Sequence, residues 1–340
     1  MSMLNAEASF LLIEEGRKTE ALDISTHCGG GAVNAAVALA RLGFDVSALV
    51  KLGRDARADL ILSRLAAEKI STRWVARDAA APTGASVILA SHERNACVFT
   101  FRGANAILEP EDLASGAFEK ADLAYVAGLS GKSSACLPHA IEKARAAGAL
   151  VAVNATVRQL SAHPEDFLAS LAKIDILALN RREAEALLPA LVAKVGHSGP
   201  LPRVAAGEHL PPLLTRGLVA GSFEIGLPAF FGTLRNLGTR YVMLTDGGRG
   251  AFVCANHDII YCPAESTTVA STAGAGDAMT ATFAAFITMD YPADVALRAA
   301  TLNAASVVSH IDTQSGLLRR DKLEAHLDAH ADLKLRKWKM

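Results

Sequence analysis

The sequence predicts a three-layer α/β protein, with a mostly parallel central sheet, helices on both faces and a small separate β-sheet. Three observations carry this prediction. Apolar stretches of strand length alternate with helical patterns along most of the chain. Two hairpin-like pieces interrupt that alternation. Glycine-rich segments stand where strands give way to helices, which is where a parallel sheet places its ligands.

In chain order, residues 9–26 read as strands around the charged turn Glu14-Glu15-Gly16-Arg17-Lys18. Small residues from Gly29 to Ala36 then open a helix over 32–43. The apolar stretch 46–50 reads as a buried parallel strand, with a helix over 56–69 after it. Residues 84–102 repeat the strand pattern around His92-Glu93-Arg94-Asn95, and with 9–26 they make the small sheet. Further buried strands follow at 122–127, 149–153, 174–179 and 240–244. Helices at 133–147, 181–193 and 227–236 lie between them. Residues 194–226 are rich in Gly and Pro, which end regular elements repeatedly. A strand-like stretch from Ile259 to Cys262 leads through a Ser/Thr-rich loop into the apolar run Ala278 to Ile287.

The chain's 340 residues, half of them apolar, are enough to bury a large core. A net charge of −1 offers no electrostatic basis for binding nucleic acid or a membrane surface. The short basic tail from Lys334 to Lys339 reads as a solvated terminus. Cys28, Cys97, Cys136, Cys254 and Cys262 are scattered and form no CxxC pair, so neither a disulfide framework nor a zinc site is expected. No apolar run reaches membrane-spanning length and no signal-like N-terminus is present, which makes the cytoplasm the expected compartment.

The segment from Ser271 to Ala278 (STAGAGDA) carries the most chemistry. Small residues at 273–276 let the backbone turn sharply and present bare N–H groups at a helix start, where the helix dipole favours an anion. Asp277, the next side chain, is itself anionic. An acid beside an anion hole suits proton removal from a hydroxyl while the amides hold a migrating phosphoryl group. The plainer reading is a helix start stabilised by an acid in its first turn.

Two other glycine segments imitate known fingerprints. Gly29-x-Gly31 with Asp45 downstream suggests a dinucleotide site, but Asn34 replaces the third glycine and 25–28 make a poor buried strand. Gly128-Leu129-Ser130-Gly131-Lys132-Ser133 ends like a phosphate loop, yet Val126 stands where its first glycine belongs. Lys132 therefore reads as a solvent-exposed first-turn residue. Asn180 and Glu183 lie one helical turn apart after a strand, where they can hold magnesium through its waters or simply cap the helix. Thr245, Gly247 and Gly250 form a turn between strands, able to meet phosphates but needing glycine in any case.

In series, Gly29 to Ala36, Asn180-Arg181-Arg182-Glu183, Thr245 to Gly250 and Gly274-Ala275-Gly276-Asp277 resemble the ribokinase-like family of phosphofructokinase-B type carbohydrate and nucleoside kinases. The resemblance runs from about residue 8 to about residue 325. It implies an ATP- and magnesium-dependent kinase acting on a sugar, or second on a nucleoside. Asp277 would be the general base, with Gly274, Ala275 and Gly276 forming the anion hole. Gly30, Gly31 and Asn34 would meet the substrate, and Arg158, in Asn154-Ala155-Thr156-Val157-Arg158, is a further candidate contact. Asn180, Glu183, Thr245, Gly247, Gly250 and Thr272 would serve the nucleotide, with Glu183 supporting magnesium through water. Residues 28–82 and 104–326 would form the large domain, 8–27 and 83–103 a lid and dimer contact, and 327–340 a tail. Arg102, where the second lid segment returns, reads as structural.

The departures from the family pattern matter too. The chain starts at Met1-Ser2-Met3-Leu4-Asn5, which reads as already at the first lid strand. The expectation is that the sequence starts downstream of the natural start, or that another segment takes the place of the first central strand and its substrate-binding acid. Ser271 replaces a usual Asp, and monovalent-cation activation is not assumed. Thr245 lies farther from Asn180 than is usual, placing an insertion in 194–226. That insertion can cap the nucleotide, form an interface or lie passively on the surface, the last being the plainest reading. A nucleotide-binding protein that transfers nothing is the second functional reading, and a nicotinamide-dependent dehydrogenase the third.

Overall fold

The computed structural model describes residues 16, 18, 20–90, 96–162, 164–195, 210–331 and 333–340. It begins with α1 (Gly31–Arg41), β1 (Lys51–Leu52), α2 (Ala56–Ala67), β2 (Ala76–Arg77), β3 (Ala85–Ala90) and β4 (Ala96–Phe101). The middle holds β5 (Leu123–Val126), α3 (Cys136–Ala146), β6 (Leu150–Asn154), α4 (Val157–Ala162), α5 (Pro164–Ser170), β7 (Ile176–Asn180) and α6 (Arg181–Val195). Then come α7 (Pro212–Arg216), β8 (Leu218–Ala220), β9 (Phe223–Ile225), α8 (Leu227–Asn236), β10 (Tyr241–Thr245), β11 (Ala251–Ala255) and β12 (Asp258–Cys262). The chain closes with α9 (Ala275–Thr288), α10 (Ala293–Val308), α11 (Arg320–Ala329) and β13 (Arg336–Lys339).

The central sheet has the order β13-β12-β11-β10-β7-β6-β5, parallel from β10 to β5 and antiparallel beyond. Its parallel strands read as largely apolar runs because both faces are covered. Alternate residues divide between two cores. Ala152, Ala178, Met243 and Val253 meet α1, α9 and α10 on one side. Val151, Val153, Leu177, Leu179, Val242 and Leu244 meet α3, α5, α6 and α8 on the other. Helix α9 is buried from Ala278 to Ile287, so it is apolar all round. Its alanines let α1 and α10 approach closely, while Phe283 and Phe286 fill the remaining space.

Several expectations need correction. The stretch 46–50 does not enter the central sheet. It runs beside 71–76 through hydrogen bonds such as Ala48 N–H to Ser71 O, and joins a short parallel ribbon of β1 and β2. No described strand links that ribbon to β5. Among the described residues the small sheet is the β3–β4 hairpin; described residues 20–27 form no strand, and most of the rest of 9–26 lies outside the described residues. Residues 1–15 and the turn 91–95 lie outside the described residues, as do 196–209 of the expected insertion.

Residues 210–226 are not a passive surface piece, since Leu213, Leu214, Leu218 and Ile225 are buried in the second core. The tail is likewise no solvated terminus. Strand β13 pairs with β12, Trp338 is buried, and α11 runs past the predicted boundary to Ala329.

Candidate active site

The carboxyl ends of the parallel strands carry the polar residues that the apolar sheet excludes elsewhere. Thr245 sits opposite Asn180 at the ends of β10 and β7, and Asn154 ends β6 beside them. Helix α9 starts against this edge. Its N-cap, Gly274, has φ 81°, and a Cβ there would come 2.7 Å from Thr313 Cβ, so no other residue fits without rearrangement. The first rung of the helix runs from Ala278 N–H to Gly274 O at 2.9 Å. The amides of Ala275, Gly276 and Asp277 precede that rung and are not used by the helical ladder.

Three neutral side chains meet the Asp277 carboxylate. Asn34 donates through Nδ2 to Oδ2 at 2.8 Å, Asn154 donates through Nδ2 to Oδ1 at 3.4 Å, and the Tyr125 hydroxyl completes the set. Gly31 makes this approach possible, because a Cβ there would stand 3.1 Å from Asp277 Oδ1. Burial pushes the Asp277 pKa above the ordinary carboxylate value, and the donors from Asn34, Tyr125 and Asn154 pull partly against it. Burial also raises the Tyr125 phenol, with the Asp277 charge adding to the effect, so it remains a donor.

The other predicted residues fall into place unevenly. Gly30 is exposed, has φ 100° and leaves open space beside its backbone. Asn34 is 3 % exposed, and its carbonyl oxygen already accepts from Thr313 Oγ1 at 2.8 Å and Gln314 Nε2 at 3.0 Å. Only its remaining N–H can serve a substrate.

Asn180 and Glu183 form a reciprocal cap: Asn180 N–H donates to Glu183 Oε2 at 2.7 Å, and Glu183 N–H to Asn180 Oδ1 at 3.0 Å. The capping reading is therefore realised. Burial nevertheless pushes Glu183 up to about 7 against the pull of those Asn180 bonds, and the charge of Asp277 raises it further. Glu183 and Asp277 thus feel each other across one crevice.

Thr245 is half-buried and Gly247 is exposed with open space around it. Gly250, by contrast, is buried against the Cys262 carbonyl, so its glycine serves the turn. Thr272 and Arg158 are exposed. Arg102 is partly buried, and burial together with the charge of Arg158 holds its guanidinium below the ordinary value. Lys132 is exposed in a short 3₁₀ turn, in keeping with rejection of the phosphate-loop reading.

Sequence reasoning missed Tyr125, Thr313 and Gln314, and gave Asn154 no role. A tyrosine inside the apolar run Leu123 to Ala127 was the one available signal.

Solved structures of three-layer α/β proteins with a small antiparallel sheet align along nearly the whole chain. A ribokinase from Thermotoga maritima aligns with TM-score 0.70 and 20% identity, over 93% of this chain and 92% of that one. A ribokinase II candidate of E. coli, solved with ATP and Mg2+, gives TM-score 0.71 at 16% identity, over 93% and 95% of the two chains. Arabidopsis thaliana ribokinase, complexed with ribose and ATP, gives 0.69 at 20%, over 93% and 92%. The fold is ribokinase-like.

The particular family follows from sequence. The pfkB family carbohydrate kinase model matches residues 3–198 and 229–320, and the chain belongs to that family. It is a carbohydrate kinase, a phosphotransferase. The deoxyribokinase of Salmonella typhi is 27% identical over 304 residues, 89% of this chain and 88% of that protein. The ribokinase of Staphylococcus aureus is 34% identical over 161 residues, 47% of this chain and 51% of its own length.

Proposed function

We propose that the protein transfers the γ-phosphoryl group of ATP to a hydroxymethyl group of a sugar, with Asp277 as general base. A nucleoside is the second acceptor class. The observation that carries this reading is the Asp277 carboxylate, held by neutral donors beside the unused first-turn amides of α9. A half-buried carboxylate whose pKa is raised is a better proton acceptor than a fully exposed one, and among the described residues no cation pairs with it. The amides of Ala275, Gly276 and Asp277 lie where negative charge develops during phosphoryl transfer.

The names of the relatives, deoxyribokinase and ribokinase, support a sugar as acceptor. A structural neighbour solved with ATP and Mg2+ supports that pair of ligands. When bound, magnesium supplies positive charge that neutralises the transferring phosphates. The residues present fit it: Glu183 is a half-buried carboxylate that no cation among the described residues pairs with, and Asn180 adds an amide beside it. Thr245 and Gly247 would receive the triphosphate, with open space beside the Gly247 backbone, and Thr272 lies on the exposed loop before α9.

Gly30 and Gly31 would let a sugar approach the backbone of α1, and Arg158 would contact its far end. The cytoplasm is the proposed compartment; no described helix is long and apolar enough to cross a membrane.

The test is ADP release from Mg-ATP with pentoses, hexoses, keto-sugar acids and nucleosides in turn. Release above background with one class establishes the reaction and its acceptor. ATP binding without release on any acceptor would instead support the non-transferring nucleotide binder.

A further inference from the structure

The loop after α10 holds the candidate base indirectly, through a chain of side chains whose polarity has one consistent direction. Arg64, on α2, donates through Nε to Gln314 Oε1 at 2.8 Å. Gln314 Nε2 donates to Asn34 Oδ1 at 3.0 Å, and Asn34 Nδ2 donates to Asp277 Oδ2 at 2.8 Å. Each amide in this chain could in principle be turned over, exchanging its oxygen and nitrogen. Arginine cannot accept a hydrogen bond, so it fixes the Gln314 oxygen toward itself and the Gln314 nitrogen toward Asn34. That nitrogen in turn fixes the Asn34 oxygen, and leaves an N–H as the only group Asn34 can offer Asp277.

Thr313 reinforces the arrangement by donating to the same Asn34 oxygen at 2.8 Å. Asn34 and Gln314 are 3 % and 2 % exposed, so water does not compete for these bonds. The loop itself is anchored from two sides. Asp312 Oδ1 accepts from the Gln314 and Ser315 amides, and Arg41 Nη1 donates to the Gln314 and Leu317 carbonyls at 2.8 and 2.7 Å. Arg64 is steadied by Glu68 at 3.3 Å.

We propose that Arg64 and Gln314 are positioning residues for phosphoryl transfer, fixing the Asn34 amide so that its N–H faces Asp277. The proposal rests on the kinase reading above. It assigns a role at the reaction centre to residues that reach Asp277 through Asn34.

Gln314→Glu tests it with little risk to folding. The new carboxylate can still accept from Arg64, but it presents oxygen to Asn34. The Asn34 amide must then turn its nitrogen toward residue 314 and its oxygen toward Asp277. Thr313 can accommodate the turn, because the Cys28 carbonyl lies 3.3 Å from its hydroxyl as an alternative acceptor.

Wild type, Gln314→Glu, Gln314→Leu and Asp277→Asn would be compared by melting temperature, by ATP dissociation constant and by steady-state kinetics. The expected result is a kcat about ten- to a hundredfold lower in Gln314→Glu, with melting temperature and ATP affinity held near wild type. Wild-type kcat in Gln314→Glu overturns the proposal, and so does a loss matched by a fall in melting temperature or ATP affinity. The Asn34 side-chain amide resonances, followed by NMR, keep this separate from the kinase reading. They shift in Gln314→Glu if the amide turns, whatever the acceptor. An inactive wild type with shifted resonances would refute the kinase reading and leave the relay standing; unshifted resonances would refute the relay.

Discussion

Among the described residues Asp277 meets only neutral donors, and that choice sets its chemistry. A salt bridge would make the carboxylate a weaker base, whereas amides and a phenol orient it while burial keeps its pKa raised. The Tyr125 hydroxyl is the donor most readily tested, since Tyr125→Phe removes it together with the bond it accepts from Asn154 Nδ2 at 3.2 Å. The hydroxyl favours the ionised carboxylate, so its loss raises the Asp277 pKa further. A base acts only when ionised. The acidic limb of the kcat/KM profile should therefore move to higher pH in Tyr125→Phe, with the alkaline side unchanged. A limb that stays in place, or moves to lower pH, would mean that Tyr125 does not control the base. Gly274 and Gly31 show the same economy in backbone terms, since a Cβ at either would press on Thr313 or on Asp277 itself.

The start of α6 combines a structural cap with a titrating group. Glu183 closes the reciprocal bonds with Asn180, yet burial brings it to about 7. Below that pH it is mostly protonated and can neutralise no metal; above it the carboxylate is available. The magnesium concentration required for half-maximal activity should rise as pH falls through about 7, beyond the rise that Glu183→Gln shows on ATP protonation alone. An identical pH dependence in the two proteins would remove Glu183 from the magnesium site. How much was legible in the sequence differs by element. Strands β5, β6, β7 and β10 were readable because burial on both faces leaves a continuous apolar run. The stretch 46–50 looks the same, but its partner, 71–76, carries Ser, Thr, Arg and Trp and gives no such signal. Strand β13 was hidden in a basic tail because its one buried side chain is Trp338, with Arg336 spread over the Tyr261 and Trp338 rings. At the site, Asp277, Asn34 and Glu183 were marked by neighbouring glycines or caps. Asn154 and Thr313 reach the same place from distant elements, and no spacing rule connects them.

At the scale of the whole molecule, the β3–β4 hairpin gathers several exposed apolar side chains. Val87, Ile88, Val98, Phe99 and Phe101 are 50–60% exposed, and the register puts Val87 opposite Phe99 and Ile88 opposite Val98 on successive positions. Both faces of the hairpin are thus apolar, and a patch of this kind marks a contact surface. We propose that it pairs two copies of the chain. Light scattering should show a dimer, and Val98→Asp with Phe99→Asp should return a monomer whose melting temperature is little changed. A wild-type monomer at tens of micromolar, as a rough working range, would contradict the dimer. In the proposed reaction the two glycine-opened helices, α1 and α9, meet over the carboxyl edge of the sheet, with Asp277 where they converge. The most direct measurement of that claim is substrate-dependent ADP release by Asp277→Asn beside wild type, with ATP binding measured on both. The account predicts a fall of about 10²–10⁴-fold in turnover with ATP affinity retained. Turnover within a few-fold of wild type would contradict it.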